Sequence, residues 1–261
     1  MKVSIICVCF NAQNTIEDSI ITVINQTYKN IEYIVIDGAS TDTTLEIIDK
    51  YKDKINYFVS APDSGIFNAM NKGIKVARGD ILYFLNSNDY IFDEKVIEDV
   101  VSFFDKNKSD IVFGDMSFIE NNNIEKERRI YTDVDKLFFL NECVCHQGIF
   151  YKRTVFDKCG LYNENLKLAS DYDLNVKAII RYNLKTKHIN RIIAKFTLGG
   201  QSNSEDEKLK MLAEAEKQKI LDSYYKPYQF KMNKILNKTF RSIARNPKLR
   251  NLAGKIFGFA L

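Results

Sequence analysis

From the N-terminus to about residue 115, short apolar runs alternate with stretches in which apolar residues recur at helical spacing. Val3–Cys9 is a nearly continuous apolar run, too short to span a membrane and lacking a small-residue cleavage site, so it predicts a first buried strand rather than a signal peptide. A helix follows, with Asn14 in the cap position, Glu17 three residues on as in a capping box, and Ile16, Ile20, Val23 and Ile24 as its buried stripe. Glu32–Ile36 predicts strand two, and the polar turn Asp37–Asp42 leads into a helix carrying Leu45 and Ile48. Ile55–Val59 predicts strand three, Phe67–Val76 a helix, Ile81–Leu85 strand four, Asn86–Asp89 its exit loop, Asp93–Phe104 a helix and Ile111–Phe113 strand five. Strands alternating with helices predict a mostly parallel sheet covered by helices.

Beyond residue 115 the pattern changes. Asn121-Asn122-Asn123 separates two strand-like runs as a hairpin turn would. Gly148–Tyr151 predicts a strand, Val155–Cys159 a short helix stopped by Gly160, Ser170–Ile180 a helix with Ser170 as N-cap, His188–Phe196 a strand and Glu205–Leu221 a helix. This organisation divides the chain into one α/β domain over 1–222, with a nucleotide-binding half over 1–115 and an acceptor half over 116–222, and a tail over 223–261.

Composition supports a single core: 261 residues with 45% hydrophobic content can bury one, and three prolines, eleven glycines and no repeat exclude linker-rich, collagenous and solenoid classes. Five cysteines, an odd number, fit a reducing cytoplasmic compartment better than a disulfide framework. The C-x-C pairs Cys7/Cys9 and Cys143/Cys145 lack the C-x-x-C spacing common at zinc sites and read as core thiols. Charge divides the chain more sharply. From Ser223 to Leu261 there are nine basic residues and no acid, so the tail carries +9 while the body carries −5. Its interleaved Ile235, Leu236, Phe240, Ile243, Leu252, Ile256 and Phe257 suit a lipid interface better than nucleic acid. The alternative is a helical pair that folds back on the acidic body or mediates a homodimer.

Open α/β sheets bind ligands beyond the carboxyl ends of their strands, where this chain places two acid-bearing turns, Asp37–Asp42 and Asn86–Asp89. Either alone is an ordinary turn composition; together they suit a nucleotide. The stretches V-S-I-I-C-V-C-F-N, N-Q-T-Y-K-N-I-E-Y-I-V-I-D-G-A-S-T-D, S-A-P-D-S-G-I-F-N-A-M-N-K-G-I, F-L-N-S-N-D, H-Q-G-I-F-Y-K-R and A-S-D-Y-D-L, with Gly199-Gly200 and Ser202, resemble in unbroken order the inverting family 2 glycosyltransferases of the GT-A fold that build bacterial polysaccharides. The resemblance implies a Rossmann-like mixed sheet flanked by helices, to which the basic helical extension would be added.

It also implies a nucleoside diphosphate sugar donor, a UDP-sugar being favoured. Phe10, Asn11 and Asp37 would bind the nucleotide, Asp37 taking the base. Asn88 would bind ribose and Asp89 a divalent Mn²⁺ or Mg²⁺. Relatives usually carry a second acid where this chain has Asn88, and another acid where it has Gly38. Asn68, Asn71 and Lys72 share one side of a helix at i, i+3 and i+4, a face open either to the donor or to solvent; Asn68 and Lys72 are counted with the donor site. Inversion needs an acceptor hydroxyl deprotonated opposite the leaving diphosphate. The family motif gives that role to Asp171, near a helix start, and leaves Asp173 as a dipole-stabilising acid. His146 and Gln147 are acceptor-side candidates, with a buried structural histidine as the alternative. Gly199-Gly200 reads as a closing loop or a tight turn.

A glycine-rich phosphate loop after strand one is absent, which disfavours a nucleotidyltransferase or a dinucleotide-dependent oxidoreductase. The expected enzyme is thus a hexosyltransferase-type glycosyltransferase, cytoplasmic and peripheral at the inner membrane face, acting on a glycan or lipid-linked acceptor. The runner-up, motivated by Asn88, is a catalytically impaired protein of the same fold that binds sugar nucleotides or glycans.

Overall fold

A computed structural model describes residues 1–120, 124–131, 138, 142–198 and 206–224. The Asn121–Asn123 turn, Gly199-Gly200, Ser202 and the tail from Tyr225 onward lie outside the described residues.

The strands are β1 (Val3–Cys9), β2 (Ile31–Asp37), β3 (Tyr57–Ser60), β4 (Ile81–Asn86), β5 (Tyr90–Ile91), β6 (Ile111–Glu120), β7 (Ile124–Arg129), β8 (Ile149–Lys152) and β9 (Thr186–Thr197). The helices are α1 (Ile16–Ile24), α2 (Thr44–Lys50), α3 (Ile66–Val76), α4 (Val96–Lys106), α5 (Arg153–Cys159), α6 (Ser170–Val176) and α7 (Glu207–Tyr224). One mixed sheet runs β3-β2-β1-β4-β8-β6-β9-β5, with β7 paired to β6. β3, β2, β1 and β4 are mutually parallel, whereas β8 enters antiparallel to both β4 and β6. Strand order therefore reverses at β1/β4, the crevice where an α/β sheet takes a ligand.

β1 is buried along its whole length, as its unbroken apolar run predicts for a strand covered on both faces. Helix α3 approaches it so closely that a Cβ on Gly73 would lie 2.4 Å from Ile6 Cγ2, so this contact needs glycine. Tyr83 of β4 stacks on Phe150 of β8 with ring centroids 4.2 Å apart, and its hydroxyl donates to the Gln147 carbonyl at 2.8 Å. Tyr151 of β8 donates to Asn175 Oδ1 of α6 at 2.8 Å. These bonds carry the sheet's geometry into the two segments that hold the candidate chemistry. All five cysteines are free thiols, and burial pushes that of Cys7 up to about 12.

Several local expectations are corrected. Thr15, not Asn14, is the cap of α1, and Glu17 accepts from the Tyr51 hydroxyl at 2.9 Å instead of closing a capping box. α4 begins at Val96 because Asp93 forms a local turn, accepting the Lys95 N–H, and an ion pair with Arg191. Ser170 is the first residue of α6 rather than its cap, which is Ala169, and the Ser170 hydroxyl is buried with no partner among the described residues. The fifth strand is ten residues long, since pairing with β9 extends it well past Phe113.

Candidate functional site

The turns leaving β1 and β2 are stitched to each other. Asp37 is fully buried: Oδ1 accepts the Ser40 hydroxyl at 2.5 Å, and Oδ2 accepts the Ser40 N–H at 2.9 Å and the Ser60 hydroxyl at 2.6 Å. Ser40 Oγ accepts from the Asn11 N–H at 2.8 Å, and Asn11 Oδ1 accepts the Thr41 N–H at 2.9 Å. This network holds Asn11 at φ 46° and Ala39 at φ 66°, left-handed conformations that a side chain disfavours and that often mark a functional turn.

Asp37 therefore builds the turn, its carboxylate buried beneath it. The surface above it belongs to other groups. Phe10 is 62% exposed, and a Cβ on Gly38 would lie 3.4 Å from its ring and 2.7 Å from Asp63 Oδ2. Asp63, half-buried and accepting the Gly65 N–H through Oδ1, is a further candidate beside Phe10 that sequence reasoning passed over. Its signal was its place in the S-A-P-D-S-G stretch, in the turn before a helix.

At the end of β4, Asp89 is 1% exposed. Gln147 Nε2 donates to its Oδ2 at 2.6 Å and the Thr197 N–H to its Oδ1 at 3.2 Å. Burial pushes the carboxyl up to about 6, against the opposing influence of the Gln147 amide and His146. The Asn88 carbonyl accepts the Thr197 hydroxyl, and the Ser19 hydroxyl donates to the Asp89 carbonyl at 2.9 Å. Thus residues from α1, β4, the 146–148 turn and β9 converge on one loop.

The same turn leads to the acceptor half. His146 Nδ1 lies 3.5 Å from Asp171 Oδ2, and its Nε2 is buried with no partner among the described residues. Asp171 Oδ1 accepts the Tyr172 N–H at 2.8 Å. Asp173 is engaged with the Tyr224 hydroxyl, and burial raises its carboxyl above the ordinary range.

The α3 face is divided between two neighbours, its two asparagines meeting residues 162–164 and its lysine the segment before Asp63. Asn68 Nδ2 donates to Glu164 Oε2 at 2.8 Å. Asn71 is buried, exchanging hydrogen bonds with the Tyr162 backbone and donating to Glu164 Oε1 at 2.7 Å. These two amides hold the Glu164 carboxyl below its usual range. Lys72 donates to the carbonyls of Ala61 and Pro62 at 3.3 and 2.8 Å, bracing the segment that ends in Asp63.

Among the described residues, no three His, Cys, Asp or Glu side chains come together as a complete metal cage. Asp89 offers a hard cation a single carboxylate, whose oxygens accept from Gln147 and the Thr197 N–H and which is also hydrogen-bonded by the Asn86 side chain. One carboxylate is enough for Mg²⁺ or Mn²⁺ where a diphosphate supplies the further oxygens.

A family model described as "Glycosyl transferase family 2" matches residues 4–160. A PGL/p-HBAD biosynthesis glycosyltransferase of Mycobacterium bovis is 30% identical over 206 residues, covering 77% of this chain and 79% of that one. An uncharacterized glycosyltransferase of Rickettsia typhi is 32% identical over 66% of this chain and 57% of its own. Among solved structures, S. aureus TarS in complex with UDP-GlcNAc superposes with a TM-score of 0.70 at 22% identity, covering 92% of this chain and 73% of that one. A mannosyltransferase of Pyrobaculum calidifontis in complex with GDP-Man and Mn2+ superposes with a TM-score of 0.58 at 15% identity, over 76% and 57% of the two chains.

Proposed function

This chain belongs to glycosyl transferase family 2 and is a glycosyltransferase, and from that premise we propose that it moves a sugar, with inversion, from a UDP-sugar to a hydroxyl of a glycan or lipid-linked acceptor. The observation that carries the reading is the convergence of Asp89, Gln147, His146 and Asp171, which joins the carboxyl end of β4 to the start of α6. The relation to a protein solved with UDP-GlcNAc favours uridine.

In this mechanism the base lies on the exposed ring of Phe10 beside Asp63 and the Gly38 backbone. Asp37 acts from beneath by fixing the turn, and Asn88 is left for the ribose. Asp89 would hold the divalent cation, which would neutralise charge developing on the leaving diphosphate. Asp171 accepts the proton of the acceptor hydroxyl. The acceptor oxygen then forms its bond to the anomeric carbon as the bond from that carbon to the diphosphate oxygen breaks on the opposite face, and UDP departs. His146, within 3.5 Å of Asp171, orients that carboxylate. Residues 1–222 form the catalytic domain in this reading, and 223–261 bring it to an anionic membrane surface. No helix among the described residues is long and apolar enough to cross a membrane. The test is Mn²⁺-dependent release of UDP from a panel of UDP-sugars, with and without lipid-linked acceptors; no release from any member, with UDP still bound, would favour the impaired binding protein instead.

A further inference from the structure

The segment that leads into α6 is held by another helix. Glu216 of α7 is 7% exposed, and its carboxylate accepts three consecutive backbone N–H groups: Lys167 at 2.7 Å on Oε1, and Leu168 and Ala169 at 2.9 and 3.0 Å on Oε2. A carboxylate taken out of water is costly unless hydrogen bonds replace its hydration. Successive N–H groups curled around an anion do this well, through charge-assisted bonds.

The anchored residues end at Ala169, the cap of α6, whose carbonyl accepts the Asp173 N–H at 2.9 Å. Asp171 lies between those two points. On the far side of it, α7 engages again, through the Tyr224 hydroxyl and Asp173. An apolar cluster separate from the main core, with Leu166, Tyr172 and Val176 against Ile220 and Leu221, fills the space between the two helices.

We propose that Glu216 is a positioning residue for the reaction: by clamping the backbone of residues 167–169 it fixes where the helix carrying Asp171 begins. The proposal rests on the reading of Asp171 as the base. An ångström of misplacement at a reacting group can cost about 100-fold in rate, so a clamp two residues from the base bears on turnover as well as on stability.

The test compares Glu216→Ala, Glu216→Gln, Leu221→Ala and Asp171→Asn in the full chain, measuring UDP release from the active UDP-sugar and hydrogen exchange of the 167–169 amides. In the wild type these amides should be protected, and unprotected amides would overturn the clamp without any variant. Glu216→Ala should lose that protection and lower kcat by about 10- to 100-fold with the donor KM little changed. Glu216→Gln keeps an acceptor oxygen and should fall between, and it replaces the alanine variant if that fails to fold. Leu221→Ala removes apolar contact on the same helix and should lower Tm while leaving kcat near wild type. The deciding measurement is the double variant: Glu216→Ala should add little to Asp171→Asn, because it acts through that carboxylate. An equal further loss in that background, or unchanged kcat once protection is gone, would overturn the proposal. Near-normal turnover by Asp171→Asn would overturn the base assignment instead.

Discussion

Gln147 donates its side-chain amide to Asp89 at 2.6 Å, across 58 residues of sequence. The acid best placed to meet a cation is therefore already bonded to the acceptor half. In the proposed mechanism a cation at Asp89 displaces or shares this amide, which would link filling of the nucleotide half to the 146–148 turn beside Asp171. Asp89→Ala should accordingly abolish the Mn²⁺ dependence of UDP binding. Calorimetry with UDP and Mn²⁺ checks this, and unchanged affinity and metal dependence would remove Asp89 from the site.

Burial of Asp89 also predicts how the metal-free protein responds to pH. Its carboxyl is raised from 3.8 to about 6, so the folded state holds the proton more tightly than the unfolded state does. The stability associated with the protonated form is complete below pH 4 and is lost as pH rises through 6, by at most about 3 kcal/mol at 1.36 kcal/mol per unit. Asp89→Asn carries no such group. The difference in unfolding free energy between variant and wild type, followed by urea titration from pH 4 to 7, should grow in favour of the variant with rising pH. A flat difference would show that the carboxylate is well solvated.

Asp171→Asn should leave UDP affinity nearly intact and slow transfer by roughly 100- to 10,000-fold, the usual effect of losing a general base. Asparagine keeps the shape and can still accept the Tyr172 N–H, so folding should survive. Near-normal turnover would send the base assignment elsewhere, and Asp173 would be a poor substitute because its carboxyl is held by Tyr224.

Phe10 and Asp63 should contribute through the base alone. Stacking of a base on an aromatic ring is worth about 1–3 kcal/mol, so Phe10→Ala should weaken UDP by roughly 5- to 150-fold and inorganic pyrophosphate hardly at all. Asp63→Ala should show the same selectivity with a smaller loss. Equal weakening of both ligands would place these residues at the diphosphate.

What was legible in the sequence follows from what each feature depends on. The parallel strands and their exits could be read because a strand buried on both faces is apolar throughout and its exit turn must be polar, as at Val3–Cys9 and Asp37–Asp42. The roles within those turns could not. Asp37 has the composition of a base-binding acid, yet Ser40 and Ser60 take up its oxygens, and Asp63 comes forward only because Gly38 has no side chain. Asn68 and Asn71 share a helical face as expected, but which partner the face meets was set by Tyr162 and Glu164, more than 90 residues away. Glu216 was invisible for the same reason: a carboxylate on a mostly polar helix reads as solvated until the backbone it anchors is seen.

The tail from Ser223 to Leu261 carries nine positive charges and no acid, and across Lys231–Leu261 they are interleaved with apolar residues in two predicted amphipathic helices that divide near Asn246-Pro247. An anionic surface attracts such a segment by about 1 kcal/mol per basic residue close to it, and the apolar faces would then insert shallowly. Full-length protein should co-sediment with vesicles containing anionic phospholipid at low salt, bind weakly to neutral vesicles, and release as salt screens the attraction. A version ending at Tyr225 retains α7, with Glu216 and Tyr224, and should lose vesicle binding while keeping UDP affinity and the protection of the 167–169 amides. Because α7 runs from that clamp to the start of the tail, transfer to a lipid-linked acceptor should fall much further in the truncated protein than UDP release without acceptor. If full-length protein ignores anionic vesicles at low salt, the tail serves the body or a second copy of the chain. Light scattering of the two versions would then separate those outcomes, since only a dimerising tail changes the mass of the particle beyond that of the tail itself.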